Sequence, residues 1–266
     1  MAEASEDQSP GFAQKLFAPL VDALDGIGRF LTLTAQTVSW MIRPPYRIMQ
    51  LLSAMDFLGV QSTFIVALTG IFSGMVLALQ MTYSLRAYGA ESQVGAIVAV
   101  SLAREISPVF AGLMVTARAG SAMAAELGNM RITEQIDALT TMAVSPVQFL
   151  LSPRLLAAVL MQPLLCVLYS CVGMVGAWLV AVQSMGVDLG NFLANIEKVL
   201  VPSDFYMGIV KSIVFGFLIC AIACSQGFHA AGGAKGVGEA TTRAVVQGAV
   251  ALLIANYFIT SLMTAM

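Results

Sequence analysis

The chain has 266 residues, of which 58% are hydrophobic and only 11% are charged. Soluble domains carry roughly 25% charged residues, so this composition excludes an ordinary soluble domain. The 13 Lys and Arg residues nearly balance the 15 Asp and Glu residues, which leaves a net charge of -2. Nucleic-acid binding is excluded as well, because no basic field exists to hold phosphates. The composition favours a polytopic helical membrane protein.

The N-terminal region divides into a short tail and an amphipathic segment. Residues 1–10 are polar and acidic and lack the basic and apolar regions of a cleavable signal peptide. After them, apolar residues recur three and four positions apart, and charged residues occupy the other face of the helix that this spacing predicts. The apolar positions are Phe17, Leu20, Leu24, Ile27 and Leu31, and the charged positions are Asp22, Asp25 and Arg29. We predict a helix that lies on the membrane surface and is separated from the next segment by Pro44 and Pro45.

Five apolar stretches are long enough to cross a bilayer, which takes about 20 residues each. They lie near residues 60–83, 94–116, 155–182, 205–225 and 244–264. The sequence therefore predicts an all-α polytopic membrane protein with five transmembrane helices. We divide it into residues 1–40, the tail and interfacial helix, and residues 41–266, the membrane domain.

The distribution of cations between the spans predicts the orientation of the chain. Nine of the Lys and Arg residues fall in the N-terminal region and in the connections 118–154 and 226–243. The alternate connections hold two, Arg86 and Lys198. Because short cytoplasmic connections are enriched in Lys and Arg, we expect the N-terminus in the cytoplasm and, after five spans, the C-terminus on the periplasmic side.

Three ionisable residues lie inside the predicted spans, namely Arg104, Glu105 and Lys211. A charge at the centre of a bilayer costs about 2.5 to 3.5 kcal/mol on insertion scales. One interpretation is an internal ion pair between Glu105 and Arg104 or Lys211 that only fixes the helices. The other, which we favour, is a wet polar cavity that receives a charged or zwitterionic substrate.

The polar connection after the second span contains a further helical pattern. Between residues 122 and 142, a narrow apolar stripe of Ile132, Ile136 and Leu139 predicts one amphipathic cytoplasmic helix. The opposite face is acidic, with Glu126, Glu134 and Asp137. Anionic lipids would repel this face, so a protein partner fits it better than the membrane surface does.

The sequence offers no catalytic machinery, and we predict no catalytic residue, metal site or cofactor. His229 is the single histidine, which excludes a site of several histidines. The glycine cluster 232–236 lacks the spacing of a phosphate-binding loop. The four cysteines fall in predicted spans and are expected to pack as small apolar residues. Gly70 and Gly74 allow a close helix contact, either within the chain or between two copies.

Several segments of the spans and of their connections carry distinctive motifs. The most distinctive are 101–110 (SLAREISPVF), 117–121 (ARAGS) and 125–137 (AELGNMRITEQID). Supporting motifs are 74–80 (GMVLALQ), 143–146 (AVSP), 152–154 (SPR), 211–215 (KSIVF) and 238–246 (GEATTRAVV). Together they extend from about Gly59 to Leu262, which is most of the chain. In these segments the sequence resembles the MlaE family of permease subunits from ABC lipid transporters.

The resemblance implies a homodimer of permeases in a bacterial inner membrane, bound to two cytoplasmic ATPase subunits and to a periplasmic MCE-domain lipid-binding protein. The substrate would be phospholipid, moved between the inner and outer membranes. The residues expected around the cavity are Arg104, Glu105, Lys211, Leu77, Gln80 and Tyr83. The residues expected in a coupling helix that contacts the ATPase are Glu126, Arg131, Glu134, Gln135 and Asp137.

A phospholipid transporter needs apolar walls for the acyl chains and a few polar groups for the headgroup. We expect Lys211 to meet the phosphate and Glu105 to moderate its binding, while ATP hydrolysis takes place on the partner subunit. The alternative is an ion-coupled secondary transporter in which Glu105 titrates and no ATPase takes part. A structural membrane anchor is a third possibility, and an intramembrane enzyme has the least support.

Overall fold

The protein is described by a computed structural model over residues 12–43 and 47–265. All regular secondary structure in these residues is helical. The helices are α1 (Phe12–Ile42), α2 (Ile48–Arg86), α3 (Glu91–Ile132), α4 (Gln135–Thr141), α5 (Val147–Ser184), α6 (Leu189–Val199), α7 (Pro202–Phe228) and α8 (Gly233–Ala265). Five of them, α2, α3, α5, α7 and α8, are long and apolar enough to cross a membrane. The predicted all-α polytopic architecture is confirmed.

Helix α1 covers the segment for which the sequence predicts an amphipathic helix. Leu33 and Thr37 are buried where α1 packs against α5 and α7. Ile27 and Leu31, which belong to the predicted apolar stripe, are more than half exposed. This arrangement suits a helix whose stripe rests on lipid. The predictions for residues 1–10, for Pro44 and Pro45 and for the side chains before Asp25 lie outside the described residues.

Helix α3 is longer than the sequence predicts. We expected a span near 94–116 and a separate helix over 122–142, but α3 continues to Ile132 and the short helix α4 begins at Gln135. The prediction of one helix over 122–142 is therefore wrong. The last turns of α3 are rich in Ala and Gly and pack through Met123 and Leu127 against α7 and α8. The end of a helix is defined by its backbone hydrogen bonds. The polar residues after position 116 therefore do not end α3.

Glycine residues bring α2 and α5 into close contact. A Cβ atom added to Gly74 would overlap the backbone of Gly173, and one added to Gly176 would overlap the carbonyl group of Ile71. The Gly70/Gly74 pair, which could have joined two copies, therefore packs inside the chain. Close helix approach of this kind is typical of membrane proteins, whose helices associate through van der Waals packing of small residues.

Several spans contain π-helical turns, which insert one extra residue and change the direction of the side chains. Helix α3 has two of them, Leu102–Ile106 and Thr116–Gly120. The first carries Arg104 and Glu105, and the second carries Arg118. Such turns are often found at functional sites. In this protein the two π turns contain all the Arg and Glu residues in the central part of α3, namely Arg104, Glu105 and Arg118.

Candidate functional site

Two ion pairs join α3 to α7. The Nε atom of Arg104 donates a hydrogen bond to Oδ1 of Asp204, and Nζ of Lys211 donates to Oε1 of Glu105 at 2.6 Å. We call these four residues the ionic cluster. The π turn supplies Arg104 and Glu105, while Asp204 lies in the first turn of α7 and Lys211 lies two turns further along. The predicted internal pair of Glu105 and Lys211 is therefore present, together with a second pair.

Each ion pair combines a buried side chain with a partly open one. The side chains of Lys211 and Asp204 are 0% and 1% exposed, whereas those of Glu105 and Arg104 are 38% and 45% exposed. A charge in hydrocarbon is tolerated only when it is paired or reaches water. The buried members meet this requirement through their partners. The open members remain available to a ligand.

The local sequence explains how Lys211 is held. Pro108 has no N–H group, so it cannot donate a hydrogen bond to the carbonyl oxygen of Arg104 four residues earlier. Nζ of Lys211 donates to this carbonyl oxygen at 3.1 Å. Gly208 makes the approach possible, because a Cβ atom there would overlap the carbonyl group of Ala103. Lys211 thus fixes the π turn as well as the carboxylate of Glu105.

Helix α8 completes the surroundings of Glu105. Nδ2 of Asn256 donates to Oε2 of Glu105 at 3.3 Å. The hydroxyl group of Thr260 lies 3.4 Å from both carboxylate oxygens but donates over a shorter distance, 2.8 Å, to the carbonyl oxygen of Asn256. Oδ1 of Asn256 is buried and has no hydrogen-bond partner among the described residues. The carboxylate is therefore held from α7 and α8 at the same time.

The ionic cluster contains two positive and two negative groups, so its formal charge is zero. Breaking a buried ion pair costs about 3–5 kcal/mol, because the remaining charge is left uncompensated. A ligand that carries a charge of its own can replace an open member without this cost. The open guanidinium group of Arg104 suits a phosphate, to which it can donate two hydrogen bonds. The ammonium group of Lys211, which we expected to meet the phosphate, is enclosed behind Glu105.

The three predicted cavity residues of the first span lie apart from the ionic cluster. Leu77 is half-buried, whereas Gln80 and Tyr83 are exposed on α2. Helix α2 packs mainly against α5, and in the described part of the chain no hydrogen bond links Gln80 or Tyr83 to the cluster. A single chain therefore does not bring the two groups together.

Glu126, the first predicted coupling residue, lies in α3 and points toward α5. Its carboxylate pairs with Arg154 near the beginning of α5 at 2.8 Å. Arg154 is largely buried, and its Nη1 atom has no hydrogen-bond partner among the described residues. Both side chains line a cavity of about 240 Å³ that Phe57 and Phe149 also border. Glu126 therefore joins the two helices on either side of the connection that contains α4.

The other predicted coupling residues cluster at the turn between α3 and α4. Arg131 pairs with Asp137 at 2.6 Å, and Nε2 of Gln135 donates to the hydroxyl group of Thr133 at 3.0 Å. Glu134 is exposed and has a positive φ of 59°, which is uncommon for a residue other than glycine. Ile136 is buried and anchors α4 to the protein. The structure thus brings these four residues together on an exposed turn.

Sequence reasoning missed two charged residues that fix the helices. Asp204 follows Pro202 and looks like an ordinary helix cap, a role that it also fills by accepting a hydrogen bond from the N–H group of Val201. Arg118 looks like a loop cation, but it donates to the carbonyl oxygen of Phe57 and stacks over the ring of the same residue at 4.9 Å. One signal for Asp204 was available in the sequence. Asp204 lies at the start of the same span that holds Lys211.

Comparison with known proteins gives a consistent result. A family model described as Permease MlaE matches residues 51–262. A Rickettsia conorii protein named "Probable ABC transporter permease protein" is 42% identical over 236 residues, which cover 89% of this chain and 91% of that protein. The Haemophilus influenzae "Intermembrane phospholipid transport system permease protein MlaE" is 36% identical over 255 residues, which cover 95% and 97% of the two chains. An Arabidopsis thaliana chloroplast protein, "TRIGALACTOSYLDIACYLGLYCEROL 1", is 36% identical over 210 residues, which cover 79% of this chain and 60% of that protein.

Proposed function

Because the chain belongs to the MlaE permease family and is a multi-pass membrane permease subunit of the ABC type, we propose that it forms the lipid path of a transporter that moves phospholipids between the inner and outer membranes. The printed name of the Haemophilus relative supports this substrate class. The chain would lie in a bacterial inner membrane, with its N-terminus in the cytoplasm and its C-terminus in the periplasm, as the cation distribution favours.

The observation that carries this proposal is the half-open ionic cluster between the membrane-spanning helices α3 and α7, near the beginning of α7. A structural pair would gain nothing from leaving Arg104 and Glu105 more than a third exposed. A headgroup site needs such groups, because a phospholipid brings a phosphate into an apolar environment. Arg104 then binds the phosphate, Lys211 and Asp204 hold the open groups in position, and Glu105 keeps binding reversible.

A second copy of the chain completes the path in this proposal. Leu77, Gln80 and Tyr83 of the first span would line the apolar part of the cavity together with residues of the other copy. The exposed face of α2, which includes Phe72 and Val76, supports such an interface. A periplasmic MCE-domain protein would receive or deliver the lipid at the outer end.

Energy would come from ATP hydrolysis on separate cytoplasmic ATPase subunits. We place their contact at the turn formed by Arg131, Glu134, Gln135 and Asp137, because this turn is exposed and acidic. Glu126 would transmit the motion, since its pair with Arg154 ties α3 to α5 on either side of the turn. A movement of the turn then changes the angle between two spans.

Phospholipid transfer by the complex purified with its native partners tests this function. The Arg104→Gln variant should lose most ATP-driven transfer while keeping assembly, because it removes the open cation of the ionic cluster. Arg86→Gln is the matched control, since Arg86 is exposed at the end of α2 and pairs with Glu91. Equal transfer by the two variants would contradict the proposal.

The alternative function is ion-coupled transport with Glu105 as the titrating group. The partial exposure of Glu105 favours this alternative. The same assay separates the two mechanisms, because an ion-coupled transporter works without ATP and stops when an ionophore collapses the proton gradient. ATP-dependent transfer that survives the ionophore supports the ABC mechanism.

A further inference from the structure

A second cavity lies between α1, α7 and α8, far from the ionic cluster. Its volume is about 720 Å³, within the range of about 300–1,000 Å³ typical of ligand pockets. It opens beside the connection between α7 and α8, and His229 at its mouth lies eighteen residues from Lys211 along the chain. At 1.5 Å per residue, this corresponds to about 27 Å along the helix axis. The cavity therefore belongs to a different depth of the membrane.

The wall formed by α7 changes from polar to apolar along the helix. His229, Gln226 and Ser225 line the cavity near the connection, and Ile222 and Leu218 line it deeper in the membrane. These positions recur three or four residues apart, so they share one face of α7. The wall is thus amphipathic along the helix axis, in the same direction as a lipid molecule in its leaflet.

Helix α8 repeats this change of polarity. Arg243 and Gln247 line the outer part of the cavity, and Ala251 lines the inner part. Nε2 of Gln226 donates to Oε1 of Gln247 at 2.7 Å, which fixes the two helices at the level where the polarity changes. The two walls therefore present their polar and apolar parts at matching depths.

The polar end of the cavity is positively charged. Arg29 from α1 and Arg243 from α8 line it, and its described lining contains no Asp or Glu residue. The only hydrogen bond of the Arg29 guanidinium among the described residues goes to the carbonyl oxygen of Asp25, at 3.3 Å. Arg243 pairs with Glu239 of its own helix at 3.2 Å, and both side chains are exposed. Such exposed pairs are weak, so both guanidinium groups can bind an anion.

We propose that this cavity binds one anionic phospholipid from the adjacent leaflet. The phosphate lies between Arg29 and Arg243, and the acyl chains follow Ile222 and Leu218 toward the centre of the membrane. A soluble anion would leave the apolar end empty, and a protein segment would have to enter between three helices. The bound lipid links α1 to α7 and α8. This site is independent of the transport function proposed above.

Binding of phosphatidylglycerol to the full-length chain with its native partners tests the site. Native mass spectrometry in lipid nanodiscs of phosphatidylethanolamine and phosphatidylglycerol measures the affinity. Arg29→Gln and Arg243→Gln should each weaken phosphatidylglycerol binding about tenfold, because each removes a charge-assisted hydrogen bond. Phosphatidylethanolamine, which has no net charge, should respond less.

Three further variants sharpen the test: two separate this site from surface charge and from the ionic cluster, and one blocks its apolar end. Lys235→Gln removes an exposed cation from the first turn of α8, outside the cavity, so its effect should be small. Arg104→Gln should leave this lipid bound even where transport fails. Ala251→Trp fills the apolar end without changing the charge and should also displace the lipid. Elution volume and helical circular dichroism confirm that each variant is folded.

Several results would overturn the proposal. One is unchanged phosphatidylglycerol binding in the Arg29→Gln, Arg243→Gln double variant or in Ala251→Trp. Another is an equal loss in Lys235→Gln, which would indicate general surface attraction. Displacement of the lipid by inorganic phosphate at a similar concentration would indicate a soluble-anion site. A density map with a second copy or a partner subunit in the cavity would identify a protein interface.

Discussion

Two ion pairs of equal length lie in very different environments. The Lys211–Glu105 pair and the Arg131–Asp137 pair both measure 2.6 Å. Lys211 is completely buried between α3 and α7, whereas Arg131 and Asp137 are both exposed on the turn between α3 and α4. Surface pairs contribute about 0–1 kcal/mol, while breaking a buried pair costs about 3–5 kcal/mol. Distance alone therefore does not indicate what a pair contributes.

The difference also separates two kinds of functional residue. In the ionic cluster, the buried partner fixes an open group, and removal of either member changes the packing. On the turn, the side chains are free to exchange partners, and a change there affects contacts with other proteins more than the fold. A graded series of substitutions can test this distinction.

Lys211→Ala should have the largest effect on stability. The substitution leaves Glu105 without its main partner, and the carbonyl oxygen of Arg104 loses its hydrogen bond from Lys211. We therefore expect the free energy of unfolding to fall by about 3–5 kcal/mol. Thermal or denaturant unfolding in mild detergent measures this loss, and native mass spectrometry measures retained lipid. We also expect lipid occupancy to fall more than dimer assembly.

The paired change Lys211→Met with Glu105→Gln is the control for this prediction. Replacing both charges by neutral side chains of similar size should restore most of the stability, since no charge stays uncompensated. Lipid occupancy should remain low, because Lys211 no longer fixes the π turn that positions Arg104. Full lipid loading of the Lys211→Ala variant would argue against any role of Lys211 in the headgroup site.

Glu126→Gln should lower the free energy of unfolding by an intermediate amount, about 1–3 kcal/mol, because Arg154 is largely buried and would lose its charged partner. The matched control is Glu239→Gln, whose partner Arg243 is exposed. Unfolding measurements on both variants compare the two pairs. Equal losses would mean that the burial of Arg154 does not matter.

Arg131→Gln should lower the free energy of unfolding by only about 0.2–1 kcal/mol, and this loss should become smaller at high salt. Denaturant titrations at two ionic strengths measure both values. A loss as large as that of Lys211→Ala would contradict the comparison, because it would show that an exposed pair holds the fold together.

Glu134→Lys should have the smallest effect on stability, within about 0.5 kcal/mol, because Glu134 is exposed and forms no ion pair in the described structure. It should nevertheless abolish lipid-stimulated ATPase activity of the complex, since it reverses a charge on the proposed contact surface. Glu197→Lys, an exposed charge reversal on α6, is the control and should retain activity. Normal stimulation in Glu134→Lys would remove the turn from the coupling mechanism.

Hydropathy was sufficient to predict the five spans. Burial inside the membrane demands long apolar helices, so Val147–Ser184 and Pro202–Phe228 are visible as apolar runs. The same logic indicated Arg104, Glu105 and Lys211, because charges in such runs need partners. The structure brings these three residues together.

The sequence could not indicate features that depend on how helices meet. Asp204 resembles a cap, and only the packing of α7 against α3 places it beside Arg104. The end of α3 was misplaced because its Ala- and Gly-rich turns are polar on average yet buried against α7 and α8. The sequence does not indicate how far Tyr83 and Gln80 lie from Lys211, because that distance depends on helix packing and on the proposed second copy.

The most direct test of the central claim is a density map of the complete complex in a lipid bilayer. We predict a phospholipid phosphate within about 3 Å of the Arg104 guanidinium group, the usual distance of a charge-assisted hydrogen bond. We also predict an ATPase subunit in contact with the turn at Glu134. A dry cluster in which Arg104 and Glu105 are closed off by protein, with no lipid beside them, would contradict the claim.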